Sequence, residues 1–176
     1  MVPEAKDLVQ RPKRDKIKKE TTRRKGYNVK KDFDMEEARA YADKAFHSGY
    51  ACSEAVIDTF RKTLELDIPD EAIAMSSGFP WGLGGGGCIC GALAGATMCL
   101  GYLYGRTEPG DPKINRCFEM SKKMHDAFRD KNGATCCRTL THGYDNDDPD
   151  RKCKCAKIVD NTMTDLLTMV AEEEAK

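Results

Sequence analysis

Four consecutive glycines, Gly84 to Gly87, stand directly before Cys88-Ile89-Cys90, and the chain then runs into GALAGATMCLGYLYG, a small-residue segment of helical character. Glycine gives up more conformational freedom on folding than any other residue. A run of four therefore marks backbone that must come close to something: a phosphate, a metal cluster, or another piece of chain.

The phosphate reading fails on context. Gly82-x-Gly84-x-x-Gly87 matches the dinucleotide fingerprint letter for letter. That loop must leave a buried β-strand, however, and the preceding MSSGFPW holds a proline and no strand pattern. No Lys-Ser/Thr follows the glycines, which removes the phosphate-binding P-loop as well. What the loop does offer is a helix start beside Cys88 and Cys90. Its first-turn N–H groups and dipole favour negative charge, which lowers a thiol pKa from its free value of about 8.5 and stabilises an anionic centre. On this reading Gly84, Gly85, Gly86 and Gly87 wrap a sulfur-ligated centre and aim amides at it. A tight turn between two helices is the alternative.

Elsewhere the apolar spacing is helical. DMEEARAYADKAFHSGY opens on a capping Asp34, places Met35, Ala38, Ala42 and Ala45/Phe46 on one face and stops at Gly49. SEAVIDTFRKTLEL turns Ala55, Val56, Phe60 and Leu64 inward, with Cys52 at its first turn. Pro69 and Asp70 open a short third helix. A helix from about Ile89 to Tyr104 repeats Gly91/Gly95 and Ala92/Ala96, a spacing that lets a neighbouring backbone approach. The next helix carries Ile114, Cys117/Phe118, Met124 and Phe128 and ends at Gly133. A short turn around Cys136-Cys137 and an acidic loop lead to a last helix from about Cys153 to Glu173. Few runs alternate with period two, so the expected fold is all-α, a compact bundle of five to six helices.

Charge divides the chain. Residues 1–31 hold twelve Lys/Arg against four Asp/Glu, although the whole chain is neutral. The expected organisation is a basic N-terminal arm, 1–31, on a helical cysteine-rich domain, 32–176. The arm reads as a mobile tail, as a segment lying over an acidic neighbour, or as a docking arm for a redox partner protein; Tyr27 is its one aromatic residue, so base stacking is nearly absent and nucleic acid is not expected. Its charged residues leave no apolar leader segment, and nowhere do roughly 20 apolar residues run together as a membrane helix needs. A cytoplasmic, thiol-reducing location is expected.

Nine cysteines cannot all pair within one chain. Seven fall in a pattern: Cys52 alone, then Cys88-x-Cys90, Cys136-Cys137 and Cys153-x-Cys155. No CxxC and no haem-attaching CxxCH occurs. Cys99 and Cys117 lie on apolar helix faces and read as core. His47, His125 and His142 are scattered and read as surface or capping residues.

The quoted cysteine segments carry a resemblance. Tyr50-Ala51-Cys52-Ser53-Glu54-Ala55-Val56, Cys90-Gly91-Ala92-Leu93-Ala94-Gly95-Ala96, Cys137-Arg138-Thr139-Leu140 and Cys155-Ala156-Lys157-Ile158-Val159 follow one another in the order and spacing of the C_GCAxxG_C_C family of redox-active proteins. That family also contains the split-Soret cytochromes c. The resemblance implies a helical redox protein, often a homodimer, in which Cys52, Cys90, Cys137 and Cys155 converge on one site and bind an iron–sulfur cluster. The haem motifs of the cytochrome branch are missing, so covalent haem is not expected. Cys88, Cys136 and Cys153 double three of the four positions, as further metal ligands or as thiols spare for disulfide exchange. Two other readings stay open: a metal-free thiol–disulfide catalyst using Cys136-Cys137 and Cys90, and a zinc-stabilised interaction module.

Overall fold

The structure is a computed structural model and describes residues 28–176. Along them run α1 (Met35–His47), α2 (Cys52–Thr63), α3 (Asp70–Ser76), α4 (Pro80–Leu83), α5 (Gly91–Tyr104), α6 (Ile114–Asn132), α7 (Cys137–Leu140) and α8 (Pro149–Glu174). Six are helices of seven residues or more, and α4 and α7 are single turns of four. No strand occurs among the described residues, so the fold is all-α as the periodicity predicts.

The helix starts are chemically specified. Asp34 caps α1 by accepting from the Glu36 and Glu37 amides at 2.8 and 3.2 Å. At α2 the Glu54 carboxylate reaches back to the Ala51 amide at 2.7 Å and accepts from the Ser77 hydroxyl at 2.5 Å. That one side chain ties the first turn of α2, which carries Cys52, to the end of α3.

Helices α2 and α5 form the centre of the bundle. Their closeness comes from Gly95, where an added Cβ would lie 2.7 Å from the Ser53 carbonyl oxygen and 3.0 Å from its Cα. The small-residue spacing read from the sequence therefore does bring two backbones together. Around this crossing Val56, Phe60, Leu64, Leu93, Leu100, Met124, Phe128, Met163, Leu166 and Leu167 form one core. Each such side chain contributes roughly 1.5–3 kcal/mol by leaving water. Polar links fix the outer helices: Arg39 on α1 donates to both oxygens of Asp160 on α8 at 2.7 and 2.9 Å. Asp58, buried on α2, accepts from Tyr41 at 2.7 Å and from Arg61 at 2.9 Å. Among the described residues no helix is long and apolar enough to cross a membrane.

Three details differ from the sequence reading. Phe118 is 64% exposed and Met120 takes the inward place, because Met120, Met124 and Phe128 share a four-residue stripe that Phe118 lies off. Helix α8 begins four residues early, at Pro149, because Asp148 caps it by accepting from the Asp150 amide at 2.8 Å and proline suits the first helical position. The segment Pro80–Leu83, loop by its sequence, forms the single turn α4 with Pro80 at its start. The arm expected over 1–31 lies outside the described residues up to residue 27. From residue 28 the chain joins the body: Val29 is buried, the Lys30 amide donates to the Leu64 carbonyl at 3.2 Å, and the Lys30 ammonium donates to Glu65 at 2.8 Å.

The crossing yields a contrast between two glycines of the same helix. Gly95→Ala must push backbone against backbone and should destabilise by about 1–3 kcal/mol. Gly101→Ala meets nothing within 4 Å and should stabilise by about 0.5–1 kcal/mol. Urea unfolding of the two variants measures both; equal midpoints would show that the crossing is not limited by Gly95.

Candidate functional site

One cavity of about 570 Å³ is walled by Cys52, Cys90, Cys137 and Cys155. These four residues come from segments far apart in sequence and from different elements. Cys52 is the first residue of α2, Cys90 the N-cap of α5, Cys137 the first residue of α7, and Cys155 lies in the second turn of α8. Asp148, Pro149, Arg151 and Lys152 of the α8 start also line the wall. Three long helices, α2, α5 and α8, thus begin at the same place, and each presents the positive end of its dipole there.

Gly91 makes the approach of Cys52 possible. A Cβ on Gly91 would lie 2.4 Å from the Cys52 sulfur and 3.4 Å from the Phe79 backbone, so only glycine fits between them. With Gly95 one turn later against Ser53, the same face of α5 carries α2 and its first cysteine.

Burial sets the protonation of the thiols. Desolvation pushes Cys52 up to about 12, and the neighbouring Cys90, Cys155 and Cys137 add to the shift. Cys90 is pushed up to about 11 by desolvation, against the pull of the Ala92 and Leu93 amides at the helix start. The sequence reading expected the helix start to lower this thiol. The amides do act in that direction, but a helix terminus contributes roughly 0.3–2 kcal/mol and burying a charge costs several, so burial wins. Cys155 is also raised by burial, with Arg151 and Lys154 opposing.

Arg151 is the residue that the sequence reading missed. It is 7% exposed on the cavity wall, its Nη1 donates to the Asn146 carbonyl at 3.3 Å, and its Nε is buried without a hydrogen-bond partner. The signal was there: Asp148-Pro149 reads as cap and first helical position, which puts Arg151 four residues before Cys155 on one helical face.

The doubled cysteines separate from the four. Cys88, Cys136 and Cys153 do not line the cavity. Cys88 and Cys136 meet each other on its outer side, the Cys136 thiol donating to the Cys88 sulfur at 2.7 Å. That bond, with lesser burial, raises the Cys136 pKa. Cys153 is exposed on α8. Gly84, Gly85, Gly86 and Gly87 are likewise off the cavity wall. Their loop closes on itself through the Gly87 amide and Gly82 carbonyl at 2.7 Å, and Gly87 leaves room for Arg138, whose Nε a Cβ there would meet at 2.8 Å. Cys99 is buried in the core and Cys117 packs at its edge, as expected. None of the three histidines lines the cavity. Among the described residues no three His, Cys, Asp or Glu side chains are drawn together tightly enough to hold a single metal ion.

Residues 50–169, well over half the chain, match the family described as "Putative redox-active protein (C_GCAxxG_C_C)". The chain belongs to that family. No curated protein and no solved structure matches it.

The raised thiols predict a pH dependence in the reduced, metal-free protein. Unfolded thiols ionise near about 8.5, whereas folded Cys52 and Cys90 hold their protons to about 12 and about 11. Over that window the folded state binds more protons, so stability falls as pH rises. Urea melts should show a lower midpoint at about pH 10 than at neutrality, and Cys52→Ala/Cys90→Ala should flatten the difference. An unchanged slope in that variant would exclude these thiols as its source.

Proposed function

We propose that Cys52, Cys90, Cys137 and Cys155 hold an iron–sulfur centre and that the protein works as an electron-transfer or accessory redox protein. The observation that carries this reading is the convergence of four thiols and the incompletely satisfied Arg151 on one cavity of about 570 Å³. Closed zinc sites hold their sulfurs about 2.3 Å from one ion with no void between them. The volume here suits a group of several atoms. When bound, such a centre supplies one-electron chemistry at a potential set by burial, charge and hydrogen bonds to its sulfurs.

The chain's own residues meet the electrostatic demands of that role. Ligation needs thiolates, so occupation of the site releases the protons that burial holds on Cys52 and Cys90. Negative charge then accumulates in the cavity. Arg151, the Ala92 and Leu93 amides and the converging starts of α2, α5 and α8 answer it from the wall. A metal-free catalyst built on Cys90 is less well supported, because a buried thiol held neutral to about 11 is a poor nucleophile at neutral pH.

Iron and sulfide measured on protein purified without oxygen test the assignment. Cys90→Ala and Cys137→Ala should lose most of the iron, and Cys99→Ala should keep it, since Cys99 is buried in the core away from the cavity. Arg151→Met should retain iron but titrate at a lower midpoint potential, because a buried positive charge favours the more negative reduced state. Iron content equal in the three alanine variants, or its absence from the unmodified protein, would overturn the proposal.

A further inference from the structure

Two chain segments carry the cysteine pairs past each other in a fixed register. The Cys90 amide donates to the Thr135 carbonyl at 2.8 Å, and the Arg138 amide donates to the Gly87 carbonyl at 3.0 Å. The Arg138 guanidinium closes the same clamp by donating to the Gly86 carbonyl at 2.8 Å. Between these bonds the cysteines sort into two layers. Cys90 and Cys137 face the cavity, while Cys88 and Cys136 stand outside it with their sulfurs 2.7 Å apart. Cys88 is exposed and Cys136 half-buried, so solutes reach the first more readily than the second.

We propose that Cys88 and Cys136 form a second redox site, a two-electron dithiol–disulfide couple that exchanges with low-molecular-weight disulfides. The Cys88 sulfur, its proton released, attacks one sulfur of the incoming disulfide; that S–S bond breaks, a mixed disulfide forms on Cys88 and one small thiol leaves. The Cys136 sulfur then attacks the Cys88 sulfur, the mixed disulfide breaks, the Cys88–Cys136 bond forms and the second small thiol leaves. Two protein thiols are oxidised, one disulfide is reduced, and the two protons pass through water to the two released thiols. The division of labour follows from access: Cys88 receives the disulfide and Cys136 resolves it. The clamp holds the two sulfurs 2.7 Å apart and neither residue lines the cavity, so the couple does not draw on the inner four thiols.

The test uses the full chain, reduced and then equilibrated without oxygen in mixtures of reduced and oxidised glutathione, quenched in acid, alkylated and mapped by mass spectrometry. A linked Cys88–Cys136 peptide should rise from about a tenth to about nine tenths of the protein over a roughly hundredfold change in the ratio of disulfide to squared thiol. In Cys136→Ser the glutathione adduct should accumulate on Cys88, and in Cys88→Ser no linked peptide should form. Singly alkylated Cys88 and Cys136 at every ratio would overturn the proposal, as would linkage of either to Cys153 or Cys137. Oxidation by a protein disulfide but not by glutathione disulfide would overturn the small-molecule assignment. Because the readout is a peptide, it stays separate from the iron content that tests the inner site.

Discussion

The close approach of α2 to α5 is the constraint on which the rest depends. Gly95 lets the backbone of Ser53 settle against α5, and Gly91, one turn earlier, admits the Cys52 sulfur beside the helix start that Cys90 caps. The hydroxyl of Ser53 then turns to the Ser76 carbonyl at 2.9 Å, which brings α3 and the turn after it to the same corner. A side chain at either glycine would separate the first two cysteines before any chemistry could join them. The family's spacing of cysteine, glycine and alanine on α5 is thus a packing requirement as much as a chemical one.

Once the four thiols share a cavity, electrostatics decides what the cavity tolerates. Without a partner Cys52 and Cys90 hold their protons, because desolvation raises both and at Cys90 outweighs the helix-start amides. Thiolates become tolerable only with a positive partner held in place, and α8 supplies one in Arg151, together with an orphaned Nε that no residue satisfies. The same segments carry Cys88 and Cys136 outward. One clamp therefore serves two environments: a cavity whose buried Cys52 and Cys90 resist ionisation, and a more exposed one around Cys88.

Much of this was legible in the sequence. The helical spacing gave α1, α2, α3, α5 and α6, and the all-α fold followed; Gly91/Gly95 announced a close crossing, and four cysteine segments in family order named the residues that now line one cavity. What escaped has physical reasons. Asp148-Pro149 follows a run of acidic residues that reads as loop, which places the start of α8 four residues late and Arg151 outside it. The placement of Phe118 needed the tertiary partner of α6, since Phe118 and Met120 fit apolar stripes that differ only by rotation. The division into inner and outer cysteines depends on bonds such as Arg138 to Gly87, between residues 51 positions apart, which no local pattern encodes. Of the glycines after Leu83, Gly87 owes its place to non-local contact, with Arg138 filling the space a side chain there would occupy.

Native mass spectrometry of protein isolated without oxygen tests the central claim most directly, because it weighs whatever the four thiols hold while the chain remains folded. The account predicts a mass increment composed of both iron and inorganic sulfide, present in the unmodified chain and lost in Cys155→Ala. An increment of zinc alone, or iron that survives the removal of Cys155, would contradict it.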